Sequence, residues 1–136
     1  MTDDIKTPSH YRSGGIEARH VIQAWRLGYE LGTAVKYILR AGRKPGNSAE
    51  KDLRKAMEYL RFAKETKGVL YTGTATLVPA EYRPAAVAQA FKLSERRARA
   101  LGVLLVVYPD DWNAETAAAE LEVELQDLAD AKVAAQ

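Results

Sequence analysis

A mainly α protein, with a three-helix N-terminal unit followed by a C-terminal α segment carrying one or two short β-strands, is the fold class this sequence predicts. Three observations carry it. Apolar residues recur at helical spacing through residues 16–25, 31–41 and 47–67. Asn47 followed by Glu50 is a capping-box pattern that opens the third of these segments. Only residues 69–79 and 103–108 have the β-branched, turn-bounded composition of strands.

Taken in order, residues 1–15 are polar and contain Pro8, Gly14 and Gly15, so they read as an extended arm ending in a turn. In residues 16–25, Ala18, Val21, Ile22 and Trp25 form one stripe and leave Glu17 and His20 off it. The second helix, residues 31–41, buries Leu31, Ala34, Val35, Ile38 and Leu39, and Gly42 is placed to cap its end. Pro45 and Gly46 break the following loop. Leu53, Ala56, Met57, Leu60 and Ala63 continue the stripe of the third helix to about Lys67, and Gly68 stops it.

Residues 69–79, rich in Thr, Val and Tyr around Gly73, suit a short strand or hairpin. Pro84 opens an Ala-rich helical stretch with Val87, Ala88, Phe91, Ala98 and Leu101 apolar, which Ser94 divides by capping a second segment. Residues 103–108 read as a buried strand ended by Pro109. Asn113 opens a last helix whose Leu121, Leu125 and Leu128 form a narrow stripe flanked by Glu120, Glu122, Glu124, Asp127 and Asp130. The change of character near Gly68 divides the chain into residues 1–68, a helical unit, and 69–136, a C-terminal extension and candidate oligomerisation element.

Composition bounds the chemistry. The 136 residues include no cysteine and two histidines, His10 and His20, which excludes a thiolate nucleophile, a cysteine zinc site and an all-histidine metal cage. Any metal here is expected to be oxygen-bound. The longest apolar run, residues 101–108, falls far short of the roughly 20 residues that span a bilayer, and the acidic start is unlike a signal peptide, so a cytoplasmic protein without a membrane partner is expected.

The formal net charge of +2 hides an asymmetry: residues 1–68 hold 14 Lys/Arg against 8 Asp/Glu, and residues 69–136 hold 6 against 10. Between Leu31 and Lys67 there are 10 basic and 4 acidic side chains, a balance that favours a polyanionic partner such as a nucleotide or nucleic acid. The ordinary alternative is a solvated helix face.

Four cations converge near the second helix. Lys36 and Arg40 share a face, and Arg43 and Lys44 follow in the loop leading to the start of the third helix, whose amide groups and dipole favour anions. Tyr37 is adjacent and suited to stack on a base. The segment has the parts of a phosphate site; the chain lacks GxxxxGK[ST], so it is not a P-loop, and cations at helical spacing also arise often by chance. Glu17 and His20, three apart on a helix, are a pair suited to acid-base work or to an ordinary surface hydrogen bond. Asp52 with Lys55 reads first as a local ion pair and second as a metal or phosphate contact.

Two further patterns carry less. Ala88, Phe91, Leu93, Ser94 and Ala98 fall at positions like those of a helix-turn-helix, with Arg96, Arg97 and Arg99 on the second segment, although Lys92 stands where the turn glycine is usual. Glu120, Glu124 and Asp127 on one side of the last helix could hold magnesium, but no second carboxylate motif accompanies them, and a solvated or oligomer-facing acidic surface is the simpler reading.

Pro8-Ser9-His10-Tyr11, then Ile16-Glu17-Ala18 with Val21-Ile22, then Lys36-Tyr37 with Arg40-Ala41-Gly42-Arg43-Lys44, and finally Glu50-Lys51-Asp52-Leu53 with Lys55-Ala56 and Tyr59, form an ordered string over residues 7–67. That string resembles a family of small bacteriophage proteins known as nucleotide kinases, which takes its name from a coliphage nucleoside monophosphate kinase acting on deoxynucleotides. The C-terminal half has no counterpart in the resemblance. By position the resemblance implies that His10, Tyr11, Glu17, Lys36, Tyr37, Arg40, Gly42, Lys44, Asp52 and Lys55 matter.

The expected activity is phosphorylation of (deoxy)nucleoside monophosphates with a nucleoside triphosphate as donor, in the host cytoplasm. The acceptor phosphate is already largely ionised, so transfer needs charge neutralisation and alignment more than a general base. Lys36, Arg40 and Lys44 are expected to hold phosphates against the start of the third helix, with Arg43 beside them. Tyr11 or Tyr37 would contact a base, His10 or Glu17 orient sugar or phosphate, and Asp52 make any Mg2+ contact. A homo-oligomer is expected, because one small helical unit rarely closes a pocket alone. The alternatives are a protein that sequesters a nucleotide or nucleotide signal without turnover, and a helix-turn-helix regulator that binds nucleic acid.

Overall fold

The computed structural model describes residues 12–13, 15–66 and 77–136, so His10, Tyr11 and all but the last three residues of the strand or hairpin expected at 69–79 lie outside the described part. The arm ends in a two-residue hairpin: β1 (Arg12–Ser13) pairs antiparallel with β2 (Ile16–Glu17), Arg12 opposite Glu17, and Gly15 sits in the turn at φ 82°. Ile16 and Glu17 are thus strand rather than the first helical turn expected of them. α1 (Ala18–Ala24) begins one residue later, with Glu17 extended at its N-cap.

α2 (Tyr29–Arg40) and α3 (Ala49–Glu65) form an antiparallel hairpin. The core stripe expected of α2 is fully buried at Leu31, Ala34, Val35, Ile38 and Leu39. Gly42 follows it at φ 79°, a left-handed conformation that costs an L-residue about 1–2 kcal/mol, and a Cβ there would lie 3.3 Å from the Ala49 Cβ. The α3 cap is one residue later than the sequence signal: Ser48, not Asn47, accepts the Lys51 amide at 3.1 Å.

The C-terminal half contains a 3-10 turn (Ala80–Tyr82), α4 (Pro84–Ala90), α5 (Glu95–Leu104) and α6 (Asp111–Ala135). Pro84 occupies the first turn of α4 and Ser94 caps α5, as expected. Asp110 and Asn113 form a capping box that starts α6 two residues before Asn113 itself. No buried strand exists at residues 103–108. α5 runs through Leu104, because Ala100, Leu101 and Leu104 continue a helical stripe into the core, while Val107 and Tyr108 are exposed. Among the described residues, β1 and β2 are the sheet.

α6 lies antiparallel to α5 and to α3. Arg96 donates to Glu120 at 3.0 Å and Arg97 to Glu124 at 2.6 Å on the α5 side. On the α3 side Lys64 meets Glu115 at 3.8 Å, and Lys132 bonds Glu50. The hydrogen bond with Lys132 holds the Glu50 carboxyl below its ordinary pKa, aided by the Lys132 charge and, more weakly, by Arg54. One contiguous core joins Val21, Leu31, Ile38, Leu53 and Leu60 to Val87, Phe91, Leu101, Leu104 and Leu121, so residues from both sides of Gly68 pack together. The leucine stripe of α6, within the half read as a candidate oligomerisation element, is used inside the chain: Leu121 is buried, and Leu125 and Leu128 pack against the same core. Among the described residues no helix is long and apolar enough to cross a membrane.

Candidate functional site

The two central helices bring three of the expected cations around one expected ring. Tyr37 of α2 has the Arg40 guanidinium 4.5 Å from its centroid, the Lys36 ammonium at 5.4 Å and the Lys55 ammonium of α3 at 5.5 Å. Helical periodicity places Lys36, Tyr37 and Arg40 within one turn of α2, and the antiparallel pairing carries Lys55 to them from α3. Concentrating cations in this way raises the local potential and favours an anionic ligand.

Beneath the ring lies a buried ion pair. Arg40, 4% exposed, donates through Nη2 to Asp52 Oδ1 at 3.1 Å, and Asp52 is 0% exposed. This corrects two expectations. Arg40 is not a surface phosphate ligand: its guanidinium is buried, bonded to Asp52 and 4.5 Å from the centre of the Tyr37 ring. Asp52 does not fit a magnesium ion, since its carboxylate is sealed from solvent and bonded to a cation. Among the described residues no group of three or more acidic or histidine side chains is arranged to hold a metal, and Glu124, one of the three acids considered for magnesium, is buried against Ser94 and Arg97.

The start of α3 is likewise supplied with its own negative charge. Glu50 and Asp52 stand in its first turn and Ser48 caps it, so the helix dipole is already complemented by the chain. The cationic centre is displaced from that terminus to mid-α2 and Lys55. Arg43 turns away from it, donating through Nη1 to the Phe91 carbonyl at 3.1 Å with its guanidinium 5.4 Å from the Phe91 ring, and so secures the end of α4. Gly42 serves the turn, and Lys44 is exposed in the loop beyond it. Glu17 sits at the N-cap of α1, where Arg19 donates to it at 2.7 Å and His20 Nε2 lies 3.5 Å away. The expected Glu17 and His20 pair is therefore present, as a surface contact on α1.

Aromatic residues that the site assignment from sequence passed over extend the cluster. Tyr59 of α3 stacks on Tyr37 at 6.1 Å between centroids, Tyr29 meets Tyr59 edge-on at 6.1 Å, and Phe62 meets Tyr59 edge-on at 5.4 Å. A hydrogen bond with Tyr29, followed by its charge, burial, and the charges of Tyr37 and Glu30, pushes the Tyr59 phenol above its ordinary pKa. The signal was present in the spacing: Lys55, Tyr59 and Phe62 fall four and three apart on one face of α3, and Tyr29 and Tyr37 fall two turns apart on α2.

A cleft of about 210 Å³ adjoins this cluster between α1 and α2, lined by Ile22, Leu27, Tyr29, Gly32 and Thr33, with Lys36 at its edge. In the C-terminal half, α4 and α5 are joined by a short turn in which Lys92 takes a left-handed φ of 53°, the conformation glycine commonly supplies. The arginines of α5 face carboxylates of the same chain: Arg96 pairs with Glu120, Arg97 with Glu124, and Arg99 with Glu95 and, at 4.0 Å, with Glu120. Arg97 also donates to the Ala41 carbonyl at the end of α2, at 3.0 Å.

No curated protein and no solved structure matches this chain. Residues 5–61, the stretch that holds α1, α2 and most of α3 together with Lys36, Tyr37, Arg40, Asp52, Lys55 and Tyr59, match the family DUF3310, described as a protein of unknown function.

Proposed function

We propose that this protein binds a nucleoside monophosphate on the face shared by α2 and α3, with its phosphate between Lys36 and Lys55, and that it transfers a phosphoryl group to that phosphate from a nucleoside triphosphate. The single observation that carries the binding reading is the placement of Lys36 and Lys55, from two different helices, within 5.5 Å of the centre of one tyrosine ring. Two ammonium groups held near one another on a framework are favoured by a ligand of opposite and multiple charge. Transfer is supported by the resemblance of residues 7–67 to phage nucleotide kinases.

In that reaction an oxygen of the acceptor phosphate forms a bond to the terminal phosphorus of the donor, and the bond from that phosphorus to the bridging oxygen breaks to release a nucleoside diphosphate. The acceptor oxygen is already ionised near neutral pH, so no side chain need take a proton from it. Lys36 and Lys55 would bring the two negatively charged phosphates together by lowering their repulsion. Lys44, exposed in the loop between α2 and α3, would be the cation for the longer donor chain. Asp52 takes no part beyond holding Arg40 under Tyr37.

Sequestration without turnover is the second reading, favoured by the removal of Asp52 from contact with any metal. Nucleic-acid binding by α4 and α5 has weaker support, because Arg96, Arg97 and Arg99 are already in ion pairs with carboxylates of α5 and α6.

Calorimetric titration of the full chain with AMP, GMP, CMP and dTMP, paired with chromatography of the same mixtures after addition of ATP, separates the readings. Saturable binding with appearance of the matching diphosphate is the expected result. Binding without product would reduce the function to sequestration, and absence of binding across the panel would remove both.

A further inference from the structure

We propose that the cleft between α1 and α2 is the base-binding half of this site, with the exposed Tyr29 ring as its stacking surface and Lys36 as the link to the phosphate half. The proposal rests on the nucleotide reading above and locates within it the part of the ligand that the cations do not hold.

Tyr37, the aromatic residue expected to meet a base, has little ring left to offer. Arg40, Lys36 and Lys55 lie within 5.5 Å of its centroid, and Tyr59 stacks against it. A base attached to a phosphate held by these lysines must therefore lie to one side of Tyr37. One turn of α2 toward the N-terminus from Lys36 is Thr33, and a further turn reaches Tyr29, whose side chain is 68% exposed. The Tyr29 ring packs edge-on to Tyr59 at 6.1 Å, which ties it to the aromatic cluster.

The space beside Tyr29 has the character a base needs. It is lined by Ile22 and Leu27 from α1 and the connection after it, by Gly32 of α2, and by Lys36, whose ammonium also lies 5.4 Å from the centre of the Tyr37 ring. Apolar walls with one charged group at the rim are the usual composition of a small-ligand cleft. Gly32 is what keeps the cleft open: a Cβ there would come 3.0 Å from Ile22 Cγ2, which brings α1 close while leaving no side chain in the opening. The Thr33 hydroxyl is turned inward to donate to the Tyr29 carbonyl at 2.7 Å, so it adds no donor to the cleft. An apolar slot without directed polar groups reads a π-face rather than a hydrogen-bonding edge, so purines, with the larger face, are expected to bind more tightly than pyrimidines.

Tyr29→Ala and Tyr29→Phe, each confirmed as folded by thermal unfolding, test the proposal against AMP, GMP, CMP, dTMP and ribose 5-phosphate in calorimetry. Tyr29→Ala should weaken the tightest-binding monophosphate by roughly tenfold, the loss typical of a stacking residue, and leave ribose 5-phosphate within about twofold. Tyr29→Phe, which keeps the ring, should hold nucleotide affinity within about twofold. Equal losses for nucleotide and ribose 5-phosphate in Tyr29→Ala, or no loss for either, would overturn the base assignment while leaving the phosphate site standing. No binding of any of these compounds to the unaltered chain would overturn the phosphate reading and this inference together.

Discussion

Asp52→Ala is expected to lower the unfolding free energy by about 3–5 kcal/mol, the cost of removing one partner from a buried ion pair. Arg40 is 4% exposed and Asp52 0% exposed, so solvent cannot replace the lost carboxylate. The pair also bridges the α2 and α3 hairpin across 12 residues of sequence, and its loss loosens the contact that sets Lys36 opposite Lys55. Asp52→Asn keeps an oxygen able to accept from Arg40 Nη2 and should cost less, on the order of 1–2 kcal/mol. Urea unfolding of the three proteins measures both numbers. Equal and small losses, below about 1 kcal/mol for each, would show that the pair does not hold the hairpin.

Phe91→Ala should cost about 3–5 kcal/mol, because the ring is buried and its removal leaves a cavity that the surrounding helices only partly fill. Phe91 lies in the turn after α4, yet it belongs to the same core as Leu31 and Ile38, and its carbonyl accepts from Arg43 in the loop after α2. The loss should therefore appear throughout the chain. In a Trp112→Phe background, which removes the exposed second tryptophan, Trp25, buried at the C-cap of α1, reports the packing of α1 by fluorescence, and far-UV circular dichroism reports the helices as a whole. The two signals should shift together to lower urea with an unchanged slope. A shift in circular dichroism alone, with the Trp25 transition left in place, would mean that the two halves unfold separately.

Much of the fold was legible because its helices obey one period. Leu31, Ala34, Val35, Ile38 and Leu39 were readable as a face from spacing alone, and all are buried. Residues 103–108 misled because a short β-branched run carries no period of its own. The decision lay upstream, in the Ala100, Leu101 and Leu104 stripe that carries α5 into it. The starts at Pro84 and Ser94 were right to the residue, and the others were displaced by one to three residues, as at Ser48 and Asp110, where two polar residues compete to cap.

The candidate site was legible as residues and not as an arrangement. Lys36, Tyr37, Arg40 and Lys55 all stood out, and the hairpin does bring them together. Spacing along α2 put Lys36 and Arg40 on equal footing as cations, however, and nothing local reveals that Asp52 reaches across to bury one of them. Pairings across a helix hairpin depend on the register of packing, which periodicity does not fix. Tyr29 and Tyr59 were passed over for the same reason, since each acquires its meaning from the other helix.

The account stands or falls on Lys36 and Lys55 acting together on a phosphate. The most direct measurement compares calorimetric binding of the tightest monophosphate to the unaltered chain, to the double variant Lys36→Ala/Lys55→Ala, and to Lys51→Ala/Arg54→Ala, which removes two exposed cations from α3 outside the Tyr37 cluster. Loss of two charge-assisted contacts should weaken binding by roughly a hundredfold or more in the first variant, while the second stays within about threefold. Equal affinity for all three proteins, or an equal loss in both variants, would contradict a phosphate site at Tyr37 and leave only a general basic surface.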